Sequence, residues 1–186
     1  MYFETIKCDD YEVYNLEYHI NRVSRTIGKD FNLGEYIYPP SHKLYRCKLI
    51  YNNDEILNIE YFEYKKREIR SFKIVCDDEI DYSKKYLDRT SLDNLYAQKD
   101  DYDEVMIFKG GFLTDTSIAN IAILVDDIWY TPKIPLLNGT TRQRYLDEKK
   151  FLEKDIDIDF LKKASKIALM NAMIDFDVIE NYSLSV

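Results

Sequence analysis

The arrangement of the predicted strands constrains the fold of this chain most. The strands are short and come in clusters, rather than in repeated strand–helix–strand units. Runs rich in β-branched and aromatic residues at 2–8, 42–64 and 68–76 predict strands. The second run contains Asn52-Asn53-Asp54, residues that tolerate tight turns, so it is interpreted as a hairpin. Because strands precede the alternation with short helices, the pattern predicts an α+β fold.

One helix is predicted inside the first cluster, from about residue 16 to residue 29, with Asn15 as a candidate N-cap. Its apolar residues recur at spacings of four, three and four and therefore share one face: Leu16, Ile20, Val23 and Ile27.

The second half alternates short strands and short helices. Strands are predicted at 104–108, 117–125, 128–131, 166–173 and 178–186, and helices at 91–98, 141–152 and 158–165. A basic cluster at Lys65-Lys66-Arg67 marks a composition shift. We therefore expect a small α+β lobe over residues 1–66 and a larger lobe over residues 67–186.

Composition excludes several classes of protein. A net charge of −8 argues against a nucleic-acid-binding surface. Three widely spaced cysteines and two histidines make a disulfide scaffold or a metal site improbable. The first ten residues lack a signal-peptide pattern, and no apolar run is long enough for a membrane span, so a cytoplasmic protein is predicted.

Four polar stretches could carry chemistry. They are HINR (19–22), KKYLDR (84–89), GGFLTDTSIAN (110–120) and PLLNGTTRQRYL (135–146). Each has an ordinary interpretation when taken alone: a helix surface, solvated charge, a hairpin turn or a capped helix start. Together they offer a lysine that can form a Schiff base, an acid that can hold a pyridinium nitrogen protonated, and a helix start with an arginine that can bind a phosphate. These are the three requirements for binding pyridoxal phosphate.

The order FETIK, HINR, KKYLDR, DEVMIF, GFLTDTSIANIAI, WYTP, PLLNGTTR and IALMNAM resembles that of the class IV (fold-type IV) pyridoxal-phosphate enzymes over nearly the whole chain. This family includes D-amino acid and branched-chain aminotransferases and 4-amino-4-deoxychorismate lyase, and the resemblance is closest to the lyase branch. It implies a two-lobed, D-amino acid aminotransferase-like fold, and a homodimer that acts on a small amino substrate.

The resemblance also implies roles for individual residues. The catalytic lysine of the family lies four residues before an arginine, which selects Lys85 and makes Lys84 a bystander. The residues implied to bind the cofactor are Arg22, Lys85, Asp115, Asn120, Gly139, Thr140, Thr141, Asn171 and Ala172. Arg46 or Lys48 is a weaker candidate for binding a substrate carboxylate, the other interpretation being a solvent-facing position.

Two features depart from the family pattern. Asp115 stands where the family usually carries glutamate, so the acid is shorter by one methylene. It reaches the ring nitrogen if the backbone shifts by about a bond length; otherwise a water molecule must bridge the two. The chain also begins at its first predicted strand, where relatives have a preceding segment with a glycine-rich turn. A fold shortened at the N-terminus is therefore expected.

Three functions remain open at this point. The leading one is conversion of 4-amino-4-deoxychorismate to 4-aminobenzoate and pyruvate, a step in folate precursor synthesis, through a Schiff base on Lys85. The second is an aminotransferase acting on D- or branched-chain amino acids with the same lysine. The third is a catalytically silent binding module derived from the family.

Overall fold

The computed structural model describes residues 1–185, and the chain divides into two compact units. The first contains residues 1–66 together with 84–88, and the second contains residues 67–83 together with the chain from residue 89 onward. The sequence placed 84–88 in the second lobe. The structure places this segment with the first unit, because its backbone pairs with the first strand.

The first unit is a four-stranded antiparallel sheet with one helix. The strands have the order β2-β1-β3-β4. They are β1 (Tyr2–Asp9), β2 (Glu12–Val13), β3 (Tyr45–Tyr51) and β4 (Ile56–Glu63), and the helix is α1 (Leu16–Ile27). The predicted hairpin turn is present, since the side-chain oxygen of Asn52 accepts hydrogen bonds from the N–H groups of Asp54 and Glu55.

Alternation along β1 and β3 separates the sheet into two faces. One face packs against α1, and its core contains Ile6, Cys8, Cys47, Leu49 and Tyr51. The four apolar helix residues expected to share a face, Leu16, Ile20, Val23 and Ile27, all belong to this cluster. The other face carries residues in register across the strands, such as Phe3 opposite Ile50.

The start of α1 differs from the prediction. Asn15 occupies the N-cap position but has φ 53° and ψ 33°, and its side chain makes no capping hydrogen bond. Asparagine tolerates this left-handed conformation better than most residues. The residue is therefore used here for its backbone angles rather than for its side-chain oxygen.

The second unit contains two mixed sheets with orders β13-β5-β6-β7 and β10-β9-β8-β11-β12. The strands are β5 (Ser71–Cys76), β6 (Glu104–Lys109), β7 (Phe112–Thr116), β8 (Asn120–Val125), β9 (Ile128–Pro132), β10 (Leu152–Lys154), β11 (Lys166–Asn171), β12 (Asp175–Ile179) and β13 (Ser183–Ser185). The helices are α2 (Thr90–Tyr96), α3 (Thr140–Asp147) and α4 (Ile158–Leu161). A core built around Phe72, Met106, Ile121 and Ile167 lies between these elements.

Several elements of this unit differ from the prediction. Residues 112–116, where no strand was predicted, form β7 because Gly110 and Gly111 adopt positive φ and turn the chain back onto β6. The helix predicted to reach residue 152 ends at Asp147, and residues 152–154 pair with β9 instead. The tail predicted as one strand is the end of β12 followed by β13, and its last residue, Val186, lies outside the described residues. No helix in residues 1–185 has the length and apolarity needed to cross a membrane.

Candidate functional site

The two neighbouring lysines lie on opposite faces of the first unit's sheet. Residues 84–88 run antiparallel to the start of β1, with Tyr86 opposite Tyr2 and with the Phe3 N–H donating to the Lys85 carbonyl at 3.0 Å. This register places Lys85 opposite Phe3. The Tyr86 N–H also donates to the Lys84 carbonyl at 2.8 Å, so the chain turns at Lys85 and the pairing with β1 does not extend to Lys84.

The side-chain contacts show which face each lysine occupies. The Lys84 ammonium donates to the carbonyl of Thr26 in α1 at 2.9 Å. The Lys85 ammonium lies 4.7 Å from the centre of the Phe3 ring, on the face away from α1. Lys84 is therefore bound to the helix, whereas Lys85 lies on the other face.

A charged cluster is buried between β1 and α1. Glu4 is fully buried, and it accepts hydrogen bonds from Arg22 Nε at 2.9 Å, from Arg22 Nη2, and from His19 Nδ1 at 2.6 Å. Burial alone would raise the pKa of Glu4, but Arg22 and His19 lower it to about 2. The predicted phosphate ligand Arg22 therefore commits two of its five N–H groups to a carboxylate.

His19 is the histidine of the HINR stretch, and its Nε2 is buried without a hydrogen-bond partner among residues 1–185. Burial lowers the pKa of His19 in spite of its bond to Glu4, so the imidazole is favoured as neutral. A neutral ring that donates from Nδ1 has only a lone pair at Nε2. His19 is thus suited to orienting Glu4 rather than to binding an anion.

Arg46 and Lys48 lie on the same face of the sheet as Lys85. In the register of β1 and β3, Lys48 is opposite Thr5 and Arg46 is opposite Lys7. The Lys48 ammonium is 5.8 Å from the centre of the Phe3 ring, the same ring that Lys85 contacts. Arg46 lies over Phe62 instead and is one step farther along the strands.

In the second unit, Asp115 and Asn120 form one buried network with the chain before α3. Asn120 Nδ2 donates to Asp115 Oδ1 at 2.7 Å and to the Leu137 carbonyl at 2.8 Å. The Leu137 N–H donates to Asp115 Oδ2 at 2.9 Å. Burial raises the pKa of Asp115 to about 7, and these hydrogen bonds oppose the rise. The network joins the predicted acid to the predicted phosphate-binding turn.

Gly139 fits closely against this network. A Cβ added at Gly139 would lie 1.8 Å from Asn120 Oδ1, so no larger residue fits without movement. Gly139 precedes α3, and the buried residues Thr140 and Thr141 form its first turn. The first N–H groups of a helix have no partner within the helix, and an anion is favoured there. These residues fit a phosphate group.

The loop between Asp115 and Asn120 is held from several sides. Arg89 donates to the Ser117 carbonyl at 2.9 Å, and Asn171 Nδ2 donates to the Ile118 carbonyl at 3.3 Å. The fully buried Glu104 accepts from the Ser117 hydroxyl at 2.5 Å. Asn171 therefore belongs to the same constellation as Asn120. Ala172 follows it in a turn and is half-buried, with no polar side-chain atom to contribute.

Two buried carboxylates were missed by sequence reasoning, Glu4 and Glu104. A signal for Glu4 exists, since it occupies a core position of an alternating strand, between Tyr2 and Ile6. Acids are seldom fully buried unless they are paired. Glu104 begins β6 as the last residue of an acidic stretch, directly before an apolar run, which is a weaker signal.

The sequence profile described as amino-transferase class IV matches residues 85–178, beginning at Lys85. A Haemophilus influenzae protein, named only as uncharacterized, is 38% identical over 182 residues, covering 92% of this chain and 96% of its own length. The chain belongs to the class IV aminotransferase family. The predicted family and the fold-type IV architecture are confirmed.

Solved structures of class IV proteins agree with this assignment. A Haemophilus somnus protein, named as a candidate 4-amino-4-deoxychorismate lyase, is 35% identical, with a TM-score of 0.86 over 92% of this chain and 95% of its own. A Mycobacterium tuberculosis protein, named as a candidate aminotransferase in its pyridoxal-phosphate-bound form, shares the fold at 15% identity, with a TM-score of 0.77 over 99% of this chain and 81% of its own. The predicted cofactor is thus one that this family and fold hold.

Proposed function

We propose that this class IV protein is a pyridoxal-phosphate-dependent lyase that converts 4-amino-4-deoxychorismate to 4-aminobenzoate and pyruvate, a step in folate precursor synthesis. The observation that carries the proposal is the position of Lys85, which the sheet edge directs away from α1 while Lys84 is bound to Thr26. The name of the Haemophilus somnus relative supports the lyase over other class IV reactions. A cytoplasmic homodimer belongs to the same proposal on the strength of the family resemblance.

Bound pyridoxal phosphate supplies an aldehyde that condenses with amines and a ring that accepts electrons. Thr140, Thr141 and Arg22 are the groups proposed to bind its phosphate. Asp115 would pair with the ring nitrogen and keep it protonated, which would offset the cost of burying a carboxylate charge. Asn120 holds Asp115 in place through its hydrogen bond at 2.7 Å.

Lys85 is proposed to have two roles. Its amine would hold the cofactor through the aldehyde. When it is not bound to the cofactor, the amine would be the base that removes the proton from the ring carbon that bears the substrate nitrogen. The enol oxygen of pyruvate leaves the neighbouring carbon with the bonding electrons, the ring becomes aromatic, and the Lys85 ammonium can return its proton to the leaving group.

An aminotransferase is the second candidate, because the family contains such enzymes and the same lysine would serve. The two reactions differ in their need for a second substrate. A transaminase leaves the cofactor in its amine form when it receives an amino donor alone, whereas the lyase turns over without a keto-acid acceptor. A silent binding module, the third candidate, would show neither behaviour.

The test compares Lys85→Ala with Lys84→Ala after addition of pyridoxal phosphate. We expect the wild type and Lys84→Ala to develop the visible band of a Schiff base, which borohydride traps as a covalent adduct. We expect Lys85→Ala to show no adduct on its active-site segment. Lys84 is a close control, because it is the adjacent residue of the same type and lies on the opposite face.

Peptide mapping identifies the modified lysine. An adduct on Lys84, or an unchanged adduct in Lys85→Ala, would contradict the assignment of Lys85. No adduct in the wild type would favour the silent module. With an adduct on Lys85, release of pyruvate from the amino substrate without added keto acid would distinguish the lyase from an aminotransferase.

A further inference from the structure

Three cations lie on the Lys85 face of the first unit's sheet and can be reached by an anion without breaking an ion pair. Lys7, Arg46 and Lys48 form no ion pair within residues 1–185, and each lies over an aromatic ring: Tyr14, Phe62 and Phe3. All three are half-buried. We call these three residues the cation strip. Its charge contrasts with the net charge of −8 of the whole chain.

The register of the strands orders the strip relative to Lys85. The row nearest to Lys85 contains Phe3 and Ile50, the next contains Thr5 and Lys48, and the third contains Lys7 and Arg46. Neighbouring rows on one face are about 7 Å apart along a strand. The charges of the strip therefore lie progressively farther from the Lys85 row, rather than beside it.

Three acidic residues share this face. Glu60 is opposite Lys48 in the pairing of β3 and β4, and Asp9 and Glu12 are opposite each other in the pairing of β1 and β2, one row beyond Lys7 and Arg46. Within the two rows that contain the strip, three cations accompany one carboxylate, so the positive charge is concentrated in these rows rather than spread over the whole face. Arg46 offers a planar pair of N–H donors to a carboxylate, and Lys48 and Lys7 add compact charges.

We propose that the cation strip selects amino substrates that carry a carboxylate at a distance from the reacting amine. The proposal rests on the function proposed above, since it takes Lys85 as the point at which the amine reacts. In a simple α-amino acid, the carboxylate is attached to the carbon that bears the amine and stays beside Lys85. A substrate with carboxylates on other carbons can place one against Lys48 and Arg46, which favours the lyase substrate class.

The test measures binding of two probes that carry no amine, isophthalate and benzoate, by calorimetry on protein supplied with pyridoxal phosphate. A second carboxylate that meets a charged hydrogen-bond donor is worth about tenfold in affinity or more. We expect the wild type to bind isophthalate about tenfold more tightly than benzoate. In the double variant R46M/K48M we expect the two probes to bind with nearly equal affinity.

Two further variants separate local charge from total charge and from folding. K29M/K43M loses the same charge at exposed lysines that pair with Asp54 and Glu63, so we expect it to keep the preference for isophthalate. R46K/K48R keeps both charges and should keep most of the preference. Melting temperatures of all variants check that the first unit is folded.

The proposal is overturned if the wild type binds both probes equally or neither, or if R46M/K48M retains the preference. Borohydride trapping on Lys85 is measured on the same samples. A preference for isophthalate without an adduct on Lys85 would refute the proposed function while the strip remains an anion site. An adduct on Lys85 without the preference would refute the strip alone.

Discussion

At the residue scale, single buried polar side chains hold several neighbouring residues in place. Asn120 contacts Asp115, the Leu137 carbonyl and the backbone of Gly139 at once. Glu4 likewise holds both Arg22 and His19. In each case a single buried polar group fixes the orientation of a residue to which we assign cofactor binding.

Gly139→Ala is predicted to disrupt the Asn120 network, because the new methyl would lie 1.8 Å from Asn120 Oδ1. We expect a loss of about 1–3 kcal/mol in the free energy of unfolding, as for other overpacked sites. We also expect weaker binding of pyridoxal phosphate, measured by titration of its absorbance.

Gly34→Ala is the matched control for this substitution. A Cβ at Gly34 would have its nearest neighbours at 3.5 Å, which is an ordinary contact, and its φ is not in the positive region. We expect stability and cofactor affinity close to those of the wild type. Equal behaviour of the two alanine variants would show that Asn120 can move without cost.

At the scale of single elements, strand pairing decides chemistry that local pattern leaves open. The pairing of Tyr86 with Tyr2 and the turn at Lys85 give the two lysines different contacts, Lys84 with α1 and Lys85 with the Phe3 ring. The turn at Gly110-Gly111 makes Asp115 part of β7 instead of a loop. A shift of one residue in either pairing would exchange the faces of every side chain in the segment.

At the start of α1, the expected effects of glycine and serine substitutions on stability are opposite to those at an ordinary N-cap. Since Asn15 has φ 53° and no capping bond, Asn15→Gly should leave stability unchanged or raise it slightly. Asn15→Ser, a good N-cap residue elsewhere, should cost about 1 kcal/mol, because serine adopts this conformation less readily. Chemical unfolding of both variants measures the difference. A more stable serine variant would indicate a conventional cap in solution.

At the scale of the whole molecule, two buried carboxylates, Glu4 and Asp115, are expected to change the free energy of unfolding with pH in opposite directions. The pKa of Glu4 is lowered to about 2, so its contribution is present above its ordinary pKa and is lost as the pH falls toward 2. The pKa of Asp115 is raised from 3.8 to about 7. The folded protein then binds the extra proton between these values, and stability falls as the pH rises through this window.

Asp115→Asn is predicted to remove the second effect in cofactor-free protein. Relative to the wild type, the variant should gain stability between pH 5 and pH 8, with an upper limit of about 3 kcal/mol. Urea unfolding at both pH values measures the gain. A difference between variant and wild type that does not change with pH would show that Asp115 titrates normally.

The sequence by itself determined the order and type of most elements, the apolar face of α1, the hairpin turn at Asn52, and the family with its cofactor. These follow from periodicity and turn chemistry, which act over a few residues, and from motifs whose order survives in one chain. The sequence missed β7 and β10, because these short segments have a weak strand pattern of their own and become strands only by pairing with β6 and β9.

Only the tertiary structure decided which lysine is bound to α1, what neutralises Arg22, and why Asp115 resists ionisation. The contacts of Glu4 with His19 and Arg22 span 15 and 18 residues, and the bond of Lys84 to Thr26 spans 58. The pKa of Asp115 depends on burial beneath several elements. Long-range pairing and desolvation are properties of the folded chain, because they arise only when distant segments exclude water together.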